Sequence, residues 1–216
     1  MNNKGIFWIR EDFRIENNPA LSFATQNHDT VIALYIYNKN DFDNKREAQK
    51  WWVFKSLETL KKDLSDYKIN LEIVKGDELE IFSKFNKKDK LSIYWNKIYE
   101  PDVIAKGKKI RDLFIKNEID YKYFKGNILN EFQDITKNDG TPFKVFTPFW
   151  RNAEQIYLNQ PPSKNYIVKK KIKKSSYFKK CIEPKDILPN KNWYKKFEKY
   201  WKVSENESKK ILKNLI

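Results

Sequence analysis

The residue types that most often carry covalent or acid–base chemistry are scarce in this chain, which has one histidine, His28, and one cysteine, Cys181. His28 sits beside Asp29 in a polar stretch. No Ser-His-Asp triad, Cys-His pair or histidine-based zinc site can be assembled by spacing. His28 therefore reads as an exposed turn residue, and Cys181, with no histidine near it, as an incidental thiol. The five glycines (Gly5, Gly76, Gly107, Gly126, Gly140) are scattered. Both G-x-G-x-x-G and the Walker P-loop are thus absent. What remains is a set of polar residues suited to binding. Arg10, Asp12 and Arg14 alternate with apolar neighbours, a pattern expected of an ion-pair cluster that orders the loop after a strand and can face a ligand.

The elements that must hold such a cluster follow from hydrophobic period. Residues 5–10 read as a strand, and Asn18-Pro19 opens a helix through Gln26, with Asn18 as cap and Pro19 first in the helix. The run TVIALYIY over 30–37 has the near-continuous apolar character of a buried strand. Trp51, Phe54, Leu57, Leu60 and Leu64 recur at steps of three and four, which predicts a long helix over 47–67. Strands at 70–74, 91–95 and 119–124 then alternate with helices at 77–85, capped by Asp77, and 102–117, opened by Pro101.

This alternation predicts an α/β fold: a doubly wound five-stranded parallel sheet with helices on both faces, Rossmann-like, joined by right-handed crossovers. Ligands of such sheets bind beyond the carboxyl ends of the strands, which directs attention to the loops after Tyr37 and Trp95.

Beyond residue 127 the pattern changes. Asn138-Asp139-Gly140 is a turn signal, 142–146 reads as extended, and Thr147-Pro148 starts a helix in which Trp150 is expected in the core. Trp51 and Trp52 cannot both face the core of one helix, so one of them belongs under a neighbouring element or a partner. Residues 161–200 read as a basic interdomain linker ending in a short helix from Trp193 to Lys199. A terminal helix from Ser204 carries Ser204 and Glu207 at capping-box spacing.

Composition narrows the classes. The chain has 216 residues with 40% hydrophobic and 16% aromatic residues, which excludes a disordered or collagen-like polymer and permits a sizeable core. The net charge of +15 invites polyanions. It is unevenly placed: 17 lysines and five acids give +12 on residues 161–216, leaving +3 on 1–160. The runs Lys169-Lys170-Lys171 and Lys173-Lys174 read first as solvated linker, with weak DNA contact through a basic tail as the sharper alternative. A lone cysteine and the lack of a signal peptide or membrane-length apolar segment lead to the expectation of a soluble, cytoplasmic protein with no membrane partner.

Four segments in order then become specific. They are Phe7-Trp8-Ile9-Arg10-Glu11-Asp12-Phe13-Arg14-Ile15 with Asn17-Asn18-Pro19-Ala20-Leu21, and Trp51-Trp52 with Ser56-Leu57 and Leu60. The third is Tyr94-Trp95-Asn96-Lys97-Ile98-Tyr99-Glu100-Pro101, and the fourth is Gly140-Thr141-Pro142-Phe143-Lys144-Val145-Phe146-Thr147-Pro148-Phe149-Trp150. Together they resemble the photolyase/cryptochrome family over residues 5 to about 158, with Asn17 replacing the family's acid. Trp201 to Ile216 is similar to the start of that family's next part.

The resemblance implies an antenna domain over 1–160 and the beginning of an FAD-binding helical domain at 201–216. The chain would then be the N-terminal portion of a deoxyribodipyrimidine photolyase, a light-driven DNA-repair lyase. It would have a light-harvesting role and no flavin site of its own, FAD residing in a C-terminal domain or a separate FAD-domain chain. The implied antenna chromophore is a folate or a deazaflavin, with Asn96, Glu100 and Asp102 as the residues placed to hold it; no catalytic or metal-ligating residue is implied. Asp102-Val103 stands where folate-holding members carry Asn-Glu, and Ile104-Ala105 where deazaflavin-holding members carry Arg-Asp. A cryptochrome-like protein, a non-enzymatic remnant or interaction module, and a polyanion-binding protein are the alternatives.

Overall fold

A computed structural model describes residues 4–43, 46–159, 166–169, 172–188 and 192–215. The elements run in the order β1 (Lys4–Ile9), α1 (Pro19–Asn27), β2 (Val31–Tyr37), α2 (Lys39–Asp43), α3 (Glu47–Ser65), β3 (Asn70–Lys75) and α4 (Glu78–Ser83). They continue with β4 (Leu91–Asn96), α5 (Pro101–Lys116), β5 (Asp120–Phe124), α6 (Phe146–Leu158) and α7 (Glu205–Leu215). The strands form one five-stranded sheet in the order β3-β2-β1-β4-β5, every neighbouring pair parallel. The doubly wound reading is therefore correct. Order reverses between β1 and β4, where Phe7 lies opposite both Ala33 and Tyr94.

Strand period explains why both faces are covered. Phe7, Ile9, Ala33 and Tyr35 point to one side, where they pack with Leu21, Leu57, Leu60 and Leu64 of α1 and α3. Their neighbours Ile6, Trp8, Leu34 and Ile36 point to the other, against Phe82, Ile110 and Phe114 of α4 and α5. Successive side chains on a strand alternate faces, so an unbroken apolar run is what a sheet sandwiched between two helical layers requires. Capping sets the helix starts: Asn18 Oδ1 accepts from Leu21 N at 3.1 Å, and Asp77 Oδ1 accepts from Leu79 N at 2.8 Å.

Several local expectations change. His28 closes α1 and shares a 2.7 Å hydrogen bond between its Nε2 and the Tyr94 hydroxyl; it is half-buried against Gly5 instead of projecting into solvent. Trp150 is 49% exposed, stacked on Phe146 at 6.1 Å, because α6 buries only Ala153. Of the tryptophan pair, Trp51 is buried and Trp52 is 44% exposed. Residues 192–199 form a 3-10 segment whose Tyr194 packs with Trp51 and Phe54. Ser204 caps α7 through Glu207 N at 3.1 Å, while the Glu207 carboxylate turns to Lys210.

The basic segment is held against the domain wherever it is described. Val168 and Ile172 are buried in the α1 and α3 face of the core, and Lys173 N donates to Asp29 O at 2.7 Å. Ile182 bridges Ile73 in antiparallel fashion, which covers part of the open edge of β3. The lysines between these anchors, Lys169, Lys173, Lys174, Lys179 and Lys180, stay exposed.

Candidate functional site

Two clefts open beyond the carboxyl ends of the strands and share the side chains of Glu11, Phe13, Trp52 and Ile98. The first, about 540 Å³, lies over the ends of β1, β2 and β4. The loops after Tyr37 and Trp95 both contribute to it, and the loop after Ile9 completes it.

Arg10, the residue after β1, lies along this cleft with its guanidinium 4.7 Å from the Trp8 ring centroid. Burial pulls its pKa down while Glu78, Glu11 and Asp12 work against that shift; guanidinium stays charged at neutral pH regardless. Tyr35, near the end of β2, has its phenol pushed far above the ordinary value, first by burial and then by the carboxylates of Glu11 and Glu78. Its hydroxyl is thus a permanent donor.

On the far wall Lys106 of α5 meets Asp77 at 3.0 Å and also binds Glu78, and Asn38 Nδ2 donates to Asp77 Oδ2 at 3.2 Å. Burial alone would lower the pKa of the Lys106 ammonium, but the hydrogen bonds it donates to Glu78 and Asp77 outweigh this and raise it. This cluster ties the loops after β2 and β3 to α5.

The three residues expected from the sequence divide between the clefts. Glu100 is the N-cap of α5 and Asp102 lies in its first turn; both are exposed and line the mouth of the first cleft. A first-turn acid also complements the positive end of the helix dipole. Asn96, the last residue of β4, is buried in the floor of the second cleft. Its Oδ1 accepts from Ala20 N at 3.2 Å, and its Nδ2 donates to Asn18 Oδ1 at 2.9 Å and to Asp12. All its hydrogen-bonding capacity toward these groups is used in joining β1, α1 and β4.

The expected Arg10–Asp12–Arg14 cluster is likewise dispersed. Arg10 lies on Trp8, and Asp12 is enclosed with Asn96 and Asn18. Burial raises the Asp12 carboxyl, opposed by the hydrogen bond from Asn96. Sequence reasoning missed Tyr35, Glu78 and Lys106 as cleft residues. The available signal was position: Tyr35 ends an apolar strand run, and Glu78 opens the helix that follows β3.

The second cleft, about 770 Å³, lies between α3, the loop after β1 and the start of α7. Trp52 and Trp201 meet across it at 5.7 Å between ring centroids, edge to face. Among the described residues no cluster of histidine, cysteine or carboxylate side chains could hold a metal ion, and no helix is long and apolar enough to cross a membrane.

Comparison with known proteins gives these features a frame. The deoxyribodipyrimidine photo-lyase of Agrobacterium fabrum is 28% identical over 208 residues, covering 93% of this chain and 42% of that protein. A class III photolyase structure from Agrobacterium tumefaciens superposes with a TM-score of 0.81 at 26% identity, over 95% of this chain and 43% of the other. An archaeal photolyase from Sulfolobus tokodaii, described with two FAD molecules and a novel light-harvesting cofactor, matches with a TM-score of 0.57 at 25% identity over 70% of this chain and 35% of its own. The chain thus spans less than half the length of these relatives. The fold, the reversal point between β1 and β4 and a family model for DNA photolyase that matches residues 5–167 agree, and the chain belongs to the DNA photolyase family.

Proposed function

We propose that this chain is the antenna-bearing N-terminal portion of a deoxyribodipyrimidine photolyase, and that the 540 Å³ cleft holds a flavin or deazaflavin ring. The observation that carries this reading is the cleft's position at the reversal of strand order, the place where open α/β sheets bind their ligands. Its volume falls within the roughly 300–1,000 Å³ of small-molecule sites.

The groups on its walls fit such a ring. Tyr35, Arg10 and Lys106 offer donors to ring carbonyls, Glu100 and Asp102 offer acceptors to ring N–H groups, and the half-exposed Trp52 offers a flat apolar face. Four carboxylates, Glu11, Glu78, Glu100 and Asp102, stand against two cations, which disfavours the acidic tail of a folate. When bound, the chromophore would supply absorption in the near ultraviolet and blue. Light-driven cleavage of pyrimidine dimers would then need FAD and the polypeptide that supplies it. DNA contact by this chain itself would rest on the exposed lysines of its basic segment and weaken steeply with salt.

The test is titration of the chain with riboflavin, which has no charged tail, followed by flavin fluorescence, with methenyltetrahydrofolate as comparison. The expected result is saturable quenching by riboflavin, weakened about tenfold by Tyr35→Phe with Glu100→Gln, as one or two lost hydrogen bonds imply. No riboflavin binding, or binding of the folate alone, refutes the flavin assignment. Absence of any uptake and of absorption above the aromatic band in the isolated chain refutes the antenna role.

A further inference from the structure

Residues 161–182 hold eight lysines and no acid. Lysines elsewhere in the chain meet carboxylates: Lys55 pairs with Glu58 and Glu198, Lys87 with Glu118, Lys97 with Glu131, and Lys106 with Asp77 and Glu78. Lys169, Lys173, Lys174, Lys179 and Lys180 are exposed, and among the described residues none of the five pairs with an acid.

The backbone that carries these uncompensated charges is fixed at close intervals. Ser22 Oγ donates to Ile167 O at 2.8 Å, Lys169 N to Thr25 Oγ1 at 3.1 Å and Lys173 N to Asp29 O at 2.7 Å. Asn70 Nδ2 then donates to Ser175 O at 2.6 Å and Lys4 Nζ to Ser176 O at 3.3 Å. A chain ordered in advance presents its charges without losing backbone entropy when a partner arrives.

The same anchors place the strip. Lys4 and Asn70 are the first residues of β1 and β3, and Asp29 stands just before β2, so residues 173–176 cross the amino ends of three strands. Both clefts open beyond the carboxyl ends, and a strand of six residues is roughly 20 Å long.

The spacing and the neighbours of the lysines indicate what they fit. An extended backbone from Lys173 to Lys180 reaches at most about 23 Å, the length of about seven phosphate steps along one strand of a duplex. Aromatic rings in the strip are not free to stack on bases, because Tyr177 and Phe178 both pack on Phe85, at 5.4 and 5.9 Å between ring centroids. Positive charge without a stacking platform suits a phosphate backbone better than unpaired bases.

We propose that Lys173, Lys174, Lys179 and Lys180 form a strip that binds the phosphate backbone of duplex DNA at the amino ends of the strands, remote from both clefts. Phosphate contacts hold position and carry no base information, so the strip retains the chain on undamaged duplex. This deepens the DNA contact ascribed above to the basic segment and rests on it, but not on the chromophore.

The test is fluorescence anisotropy of the full chain with an intact duplex, between about 50 and 200 mM KCl. Four phosphate contacts imply a Kd that weakens about 100-fold or more over that range. Lys173→Gln, Lys174→Gln, Lys179→Gln and Lys180→Gln combined should weaken binding at least about tenfold at the lower salt and reduce the slope of log Kd against log salt by about 3. Lys108→Gln, Lys109→Gln, Lys137→Gln and Lys144→Gln remove the same charge from exposed positions on α5 and before α6. That second set should stay within about threefold of wild type, and neither set should change riboflavin uptake.

No duplex binding by the wild type at the lower salt, equal weakening by the two sets, or tighter binding of a single strand of the same length overturns the proposal. Riboflavin uptake without duplex binding strikes the strip and leaves the flavin assignment standing; duplex binding without riboflavin uptake does the reverse.

Discussion

The carboxylate of Glu72, on edge strand β3 and only 4% exposed, accepts the backbone N–H groups of Tyr177 at 3.1 Å and Phe178 at 2.9 Å. A buried charge on a sheet edge is costly unless it is hydrogen-bonded. Here its partners come from the basic segment that reads as a linker, so the acid fastens that segment over β3 just before Ile182 bridges Ile73.

Glu72→Gln should therefore cost about 1 kcal/mol, and Glu72→Ala about 2–3 kcal/mol, since hydrogen bonds to charged acceptors are worth about 1.5–3 kcal/mol and Ala leaves two N–H groups unpaired. Urea unfolding measures the loss. Limited proteolysis should show new cleavage near residues 174–181 in the Ala variant. A wild-type digestion pattern would show that Glu72 does not hold the segment.

Asn96 sits at the junction of β1, α1 and β4, with Asp12 and Asn18 as partners. Asn96→Ala should destabilise by about 2–3 kcal/mol, because a buried network loses its central donor and acceptor. Asn96→Asp should be worse at neutral pH, as it puts a second carboxylate against Asp12, whose pKa burial already raises. The sign follows: an acid with a raised folded pKa destabilises once the unfolded chain ionises. The deficit of Asn96→Asp relative to wild type should therefore shrink as pH falls below about 5. A deficit that grows on acidification would contradict this arrangement.

Gly126 N donates to the Tyr99 hydroxyl at 3.1 Å, and a Cβ at this position would stand 2.0 Å from Lys97 O. Gly126→Ala must push the loop after β5 away from the loop after β4, at an expected cost of about 1–3 kcal/mol. Because Lys97 and Ile98 line the second cleft, the variant should also alter quenching of Trp52 by small solutes such as acrylamide. Wild-type stability would show that the backbone there is free to yield.

Asp77 both caps α4 and pairs with Lys106. Burial acts to raise its pKa, and the hydrogen bond from Lys106 outweighs this, leaving it below the usual carboxylate value. A depressed acid stabilises the fold above its unfolded pKa, and that contribution is lost as pH falls through the folded value. Asp77→Asn retains a capping oxygen and loses the charge, so its stability should converge with wild type below about pH 3–4. Asp77→Ala loses the cap as well, so its deficit should shrink on acidification yet level off at about 1 kcal/mol below wild type instead of vanishing. Thermal unfolding across pH 3–7 separates the two.

The sequence by itself determined the layers. Apolar runs at strand length, helical periods between them and caps at Asn18 and Asp77 are local properties, set by side-chain alternation and by the first unpaired N–H groups of a helix. They led to five strands and their helices; the family, and with it Asn96, Glu100 and Asp102, came from the four motif segments that resemble it.

Tertiary structure alone decided the partners. Strand order brought β1 beside β4, so Asn96 became a fastening of the sheet and Tyr35, Glu78 and Lys106 became walls of the cleft. The lysine-rich segment has no readable period because its anchors, Val168, Ile172, Tyr177 and Ile182, bond one by one to distant sites and not along a repeating element. The same holds for Glu205, whose acceptors' donors lie some 190 residues away. Local pattern encodes which face of an element is buried; it carries no record of which distant backbone group a single carboxylate will meet.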